Sequence, residues 1–296
     1  MTIRTPPPEP APDRLSSLLE RFRVRAQLHH AGALCGITHF DAAEGHAYLH
    51  VLRRGQLEVS HPAARGRTQR LRFTEPTLLL YPVPFTHRFH NAPVDGSDFT
   101  CARLRFDGGA SHPLARALGP FITLPLDKVP GLAATLELLF AETDQVRCGH
   151  RLLADRLFEV VVIQLLRWLL DQPEQIGRPV GLIAGLSDPQ LSRALVAMHD
   201  APGQAWNLDR MAARAGMSRT VFASRFREVV GQTPAAYLTA WRMALAQSRL
   251  SEGASLKQLA DELGYGSAAA LSRAFSSTVG LSAKAWLAAR GAGGCG

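Results

Sequence analysis

The chain has 296 residues, 46% of them hydrophobic, and a formal net charge of +8 at pH 7. That is apolar material enough for a globular chain of two domains, and no run of 18 apolar residues exists to span a bilayer. The four cysteines, Cys35, Cys101, Cys148 and Cys295, have neither CxxC spacing nor disulfide-scaffold density, so a cytoplasmic protein with no membrane partner is expected, and its basic excess suits a polyanion without identifying one.

The first 13 residues, within "MTIRTPPPEPAPDR", read as a proline-rich polar tail rather than a signal peptide. From about Ala31 to Phe106 short apolar runs alternate with Gly and Pro: "ALCGITHF", "HAYLHVLRRGQLEV", "QRLRF", "PTLLLYP", "THRFH" and "FTCARLRF". These predict strands of a small barrel or sandwich over residues 14–110. Histidines gather here: His39, His46, His50, His61, His87 and His90. His46 and His50 are four apart, which on a strand puts them on one face but about 13 Å from each other, too far to share an ion. Cys35 falls on the first predicted strand and Cys101 on the last, and closure of a barrel would bring such strands toward disulfide reach. Arg103 and Arg105 nearby would lower a thiol pKa, whereas a buried cysteine is equally an ordinary small core residue.

Over residues 111–175 the pattern turns helical in "VPGLAATLELLFAETDQ" and "HRLLADRLFEVVVIQLLRWLLDQ". The second is apolar on nearly all sides from Phe158 to Leu170 and needs cover, from the barrel or from its twin in a homodimer. "QPEQIGRPVG" breaks the pattern and marks a linker, placed at 176–186, and "SDPQLSRALVAMHDAP" opens the C-terminal domain with an N-capped helix.

Residues 187–290 contain one motif twice. A shift of 49 residues lays Ser218, Phe226, Val230, Gly231 and Leu238 on Ser267, Phe275, Val279, Gly280 and Leu287, with Phe222 on Leu271 and Tyr237 on Trp286. Each copy predicts a helix, a glycine turn and a second helix with a Ser N-cap, a buried apolar stripe and a terminal glycine. Between them "PAAYLTAWRMALAQSRLSEG" predicts a helix of about 17 residues, roughly 26 Å long, able with its turns to hold two reading helices about one duplex turn apart. The outward stripe of the first, Thr220, Ala223, Ser224 and Arg227, is small or basic, as a helix lying against a groove wall requires. The segment from 187 onward carries twelve Lys and Arg against seven Asp and Glu, and residues 291–296 form a tail.

The run from about Ser187 to Arg290, with "LAxxxGMSxxxFxxxFRxxxGxxPxxYLxxWRMxxAxxxL" and "LADELGYGSxxxLSRAFxxxxG" fitted to it by these residues, resembles the DNA-binding domain of the AraC/XylS family of bacterial transcription regulators. The resemblance implies that Ser218–Val230 and Ser267–Val279 enter successive major grooves. It places DNA contacts at Ser218, Arg219, Thr220, Ala223, Ser224 and Arg227, and at Ser267, Ala268, Ala269, Ser272 and Arg273. Ser276, Ser277 and Thr278 stand where the family commonly has basic residues, and Ala283 where it has proline, so the second motif should hold phosphates more weakly. "HVLRRGQLEV" followed by "LLLYPVPFTHRF" resembles the cupin-type sensor that precedes many such domains, though Glu75-Pro76 replaces its usual Gly-Asp. His50 and His87 fall where metal-binding cupins place ligands; no third ligand is evident, and they are read instead as lining an effector pocket, with no metal or other cofactor.

The expected fold is α+β in two domains: a cupin-like β-barrel with a helical dimerisation segment, then an all-α double helix-turn-helix. The expected function is a transcription regulator, not an enzyme. Its expected partners are an operator duplex, a second copy of the chain, a small-molecule effector and RNA polymerase. A thiol sensor using Cys35 and Cys101, a DNA-architectural protein without a sensor, and a metal-dependent cupin enzyme are the alternatives.

Overall fold

A computed structural model describes residues 12–62, 67–92, 96–176 and 180–292. Packing divides them into two compact units, the described residues of Phe22–Arg178 and those of Met1–Arg21 with Pro179–Gly296.

The first unit contains nine strands: β1 (Val24–Leu34), β2 (Ile37–Phe40), β3 (Ala47–Arg54), β4 (Leu57–Pro62), β5 (Thr68–Phe73), β6 (Thr77–Tyr81), β7 (His87–His90), β8 (Ser97–Phe106) and β9 (Ile122–Pro125). They form two antiparallel sheets, ordered β1-β8-β3-β6-β9 and β2-β7-β4-β5. The closed barrel expected from the sequence is therefore corrected to a pair of open sheets. The inward residues of both, among them Phe40, Tyr48, Leu52, Val59, Tyr81, Phe89 and Phe99, meet in one core, as period-two alternation on strands facing each other demands. "ALCGITHF" makes two strands rather than one because Gly36, at φ +67, turns the chain between β1 and β2.

Three helices complete this unit: α2 (Pro113–Ala117), α3 (Leu132–Asp144) and α4 (His150–Asp171). The helix predicted to need cover has it on one side. Helix α4 packs on β1 and α3 and buries Ala154, Phe158, Val161, Leu165 and Leu169, while Leu152, Leu153 and Val160 stay exposed. β1 is an edge strand, and its outward Ala26 and Leu28 N–H groups donate to Glu159 and Asp155 of α4 at 3.3 and 2.6 Å. The edge is thereby capped by carboxylates instead of standing open to another strand.

The second unit is helical. It comprises α1 (Ser16–Arg21), α5 (Leu182–Ser187), α6 (Leu191–Asp200), α7 (Leu208–Ala215), α8 (Arg219–Val230), α9 (Pro234–Ser251), α10 (Leu256–Glu262), α11 (Ala268–Val279) and α12 (Ala283–Ala292). The sequence reading placed residues 14–21 with the sensor, whereas α1 packs on α6. Leu15 and Leu18 are buried there, and Arg21 donates to the Asp200 carbonyl at 2.8 Å. The breaker-free run between the two motifs forms α9 and is buried on several sides, through Leu238, Trp241, Leu245, Ala246 and Leu250. From it Arg242 donates to the carbonyls of Pro202 and Gln204 at 2.8 and 3.0 Å, and its guanidinium lies 5.6 Å from the Tyr265 ring. That clasp presses the loop after α6 onto the turn between α10 and α11. Gly203 and Gly264 pass there so closely that a Cβ on either would collide with the other segment's backbone carbonyl.

Candidate nucleic-acid interface

Helix α8 begins where Ser218, in extended backbone, accepts the Val221 N–H on its hydroxyl; α11 begins the same way, with Ser267 accepting from Ala270. Gly231 and Gly280 end them at φ +81 and +80, the left-handed conformation that glycine adopts without a Cβ penalty. The preceding helices are capped as well, α7 by Asn207 and α10 by a reciprocal Ser255–Gln258 capping box. Fixed ends and a buried stripe leave each second helix one free face.

On α8 the buried stripe is Phe222, Phe226 and Val230, while Arg219, Thr220, Ser224 and Arg227 are exposed and Ala223 is half-buried. On α11 Leu271 and Phe275 are buried, Ala269 and Arg273 are exposed, and Ala268 and Ser272 are half-buried. Ser218 and Ser267 stand exposed at the helix starts. The repeat loosens toward its end: Val279 is half-buried where Val230 is buried, and Leu287 is 37% exposed where Leu238 is buried. The 49-residue shift pairs Ser224 with Arg273 and Arg227 with Ser276, so the basic residue sits about one turn earlier on α11 than on α8.

Charge pairing separates the arginines further. Arg225 lies 3.3 Å from both Asp188 and Glu228 and is committed within the fold. Arg219 approaches Asp209 at 3.6 Å with both side chains about two-thirds exposed (66%), a pair that water and salt screen and a phosphate can replace. Sequence reasoning passed over Val221, which is 56% exposed on the free face of α8. Its place directly before Phe222, outside the buried stripe, was the available signal, and an apolar side chain there suits a thymine methyl.

In the first unit His50 and His87 come together, but in the core. Both are fully buried and their Nε2 atoms lie 3.1 Å apart. His87 Nδ1 donates to the Phe85 carbonyl at 2.7 Å, so its Nε2 accepts from His50 Nε2–H, and the buried His50 Nδ1 has no partner among the described residues. The His87 ring is sandwiched between Tyr81 and Phe40, at centroid distances of 3.8 and 4.6 Å. Burial holds His87 down to about 4, and burial with the neighbouring His87 holds His50 well below the ordinary imidazole value. The rings therefore pack against side chains where the sequence suggested a ligand-lined pocket, and their facing nitrogens are used on each other. His61 extends the network by a 2.8 Å hydrogen bond with the Tyr81 hydroxyl. Among the described residues no group of three His, Cys, Asp or Glu side chains could hold a metal ion.

The two cysteines do not meet. Cys101 is buried on β8 in register with His30 of β1 and His50 of β3, and burial raises its thiol pKa far above the ordinary value. Cys35 is exposed, just past the end of β1 where Leu34 pairs with Ser97. Strand rise puts the two about 16 Å apart along the ladder, beyond the roughly 7 Å limit between Cα atoms for a disulfide. The reach expected from barrel closure is corrected accordingly. Neither Arg103 nor Arg105 lowers the Cys101 thiol pKa, because burial dominates. Cys295 lies outside the described residues.

A family model described as Cupin matches residues 13–171, and one described as Helix-turn-helix domain matches residues 211–289. A Streptomyces lividans protein named for AraC-like transcription regulation is 32% identical over 305 residues, 92% of this chain and 96% of that protein. The HTH-type transcriptional regulator AlkR of Acinetobacter baylyi is 33% identical over 145 residues, 49% of this chain and 46% of AlkR. Among solved structures, the DNA-binding domain of the global transcriptional factor AdpA in complex with a target DNA is 35% identical, with a TM-score of 0.31, over 34% of this chain and 92% of that one. With a cupin domain followed by a duplicated helix-turn-helix, the chain belongs to the AraC-like family of DNA-binding transcription regulators.

Proposed function

We propose that this regulator reads an operator duplex with α8 and α11 in two successive major grooves, as a homodimer, and that a small-molecule effector in its cupin domain controls that binding. One observation carries the reading: two helices with the same caps and matching buried positions, Phe222 and Phe226 on one and Leu271 and Phe275 on the other, each turn a free face of small and basic side chains outward. The 18-residue α9, roughly 27 Å long, lies between them. In this assignment Arg273 makes the bidentate guanine contact, Ala268, Ala269 and Val221 meet thymine methyls, Thr220, Ala223, Ser224 and Ser272 face bases, and Ser218, Arg219, Arg227 and Ser267 hold phosphates. Pairing of two copies is supported by the apolar Val146, Leu152 and Leu153, exposed at the loop end of the α3–α4 hairpin, with Leu138 exposed midway along α3. Contact with RNA polymerase is part of the proposal for the operator-bound form.

The test is a nuclease footprint of the full chain on its own upstream region, repeated with Arg273→Ala and with Arg227→Ala. Two protected segments about one turn apart in each half-site are expected, each weakened by one of the two substitutions. A single protected segment, indifferent to Arg273→Ala, would remove α11 from the interface.

A further inference from the structure

On the inward face of the first sheet, β8 continues past Phe99 and Cys101 to Arg103 and Arg105. Arg105 stands directly opposite Arg25 of β1, and Arg103 is one step further along the same face. Like charges facing each other across an antiparallel pair destabilise it. The carboxylates nearest to hand do not resolve this: Glu44 approaches Arg103 and Asp107 approaches Arg105 only at 3.9 Å, too long for hydrogen bonds. Arg103 Nε is shut off from solvent without an acceptor among the described residues, an expensive state for a charged donor. All three arginines line a cleft of about 670 Å³ at the mouth of the two-sheet sandwich.

The rest of the lining states what the cleft would hold. Val83 and Pro84 give it apolar wall, and His46 adds a polar edge. Asp155, the carboxylate in the lining, already accepts the Leu28 N–H at 2.6 Å. The volume lies within the range of small-ligand pockets, and a guanidinium fork matches the two oxygens of a carboxylate.

We propose that this cleft binds a small organic carboxylate, its oxygens between Arg103, Arg105 and Arg25 and its apolar body against Val83 and Pro84. The proposal rests on the effector-sensing reading above and moves the effector from the His50–His87 pair, which is packed shut, to the sandwich mouth. Binding would neutralise the opposed arginines and tie β1 to β8, and β1 is the strand that α4 caps.

The experiment is calorimetry on the full chain with benzoate, octanoate, benzyl alcohol and inorganic phosphate, alongside Arg103→Gln and Arg105→Gln, with operator affinity measured in the same samples. At least one carboxylate should bind and the alcohol should not. Each substitution should weaken carboxylate binding by about tenfold, the loss of one charge-assisted hydrogen bond. Arg105→Gln should also raise the melting temperature of the ligand-free protein, because it removes one of two facing charges. The site is overturned if neither carboxylate binds, if phosphate binds as tightly as the better one, or if both variants bind carboxylate as the parent does. A carboxylate that binds through the arginines yet leaves operator affinity unchanged supports the site and overturns the sensing role. A carboxylate that shifts operator affinity equally in both variants overturns the site and leaves sensing standing.

Discussion

Arg227 and Arg273 are both exposed, yet they occupy different steps of their helices and should do different work. Arg273 takes the step that Ser224 holds on α8, between Ala269 and Ser276, where a long fork can reach a base edge past small neighbours. Arg273→Ala is therefore expected to cost about 1 to 3 kcal/mol, concentrated at one base position, as loss of a bidentate guanine contact does. Arg227 sits one turn later, near the glycine cap, so Arg227→Ala should weaken all duplexes alike and make the salt dependence shallower. Competition binding over a set of single-position operator variants separates these outcomes. A flat profile for Arg273→Ala would assign that residue to the backbone as well.

At the level of elements, the contact between Gly203 and Gly264 is the one that admits least change. Gly264 is left-handed, at φ +72, and has no space for a Cβ beside the Gly203 carbonyl. Gly264→Ala should lower unfolding free energy by about 2 kcal/mol or more, combining a strained conformation with a clash. A urea titration of the full chain measures this, and an unchanged midpoint would mean that the loop simply moves aside. The neighbouring helices were legible in the sequence because their instructions are local. Ser218, Phe222, Phe226 and Gly231 state cap, face and stop within 14 residues, and Ser267 to Gly280 repeat them. Features set by distant partners were not legible. Leu15 and Leu18 reveal their side only once α6 is there to cover them. β9 was hidden in a stretch read as helical because four residues, Ile122–Pro125, count as a strand only beside β6. His50 and His87 were singled out as lining an effector pocket, but whether facing imidazoles enclose a ligand or each other depends on Phe40 and Tyr81, which arrive from two other strands.

For the whole molecule, both units hide imidazoles from water. Burial keeps His87 and His112 at about 4 and His199 at about 3, against an ordinary value of 6.5. Each stays neutral in the folded chain over a range in which the unfolded chain takes up a proton. Protons thus favour unfolding: stability is full above about pH 6.5 and declines as the medium is acidified toward the folded values, by about 1.4 kcal/mol per pH unit for each such histidine. The urea midpoint should fall clearly between about pH 7.5 and about pH 5.5, and identical midpoints would contradict these burials. None of the helices among the described residues is long and apolar enough to cross a membrane. The glycine pass, held by the Arg242 clasp from α9, has a consequence at this scale too, for it joins the two halves of the helix-turn-helix unit at a second point besides α9. A jaw fixed at two points works as a calliper. Each base pair added between its tips moves the far target by about 3.4 Å and turns it by roughly 35°. If α8 and α11 read DNA as proposed, such a tool would measure length as strictly as it reads letters, and among DNA sites with the same letters it would select those with the right gap.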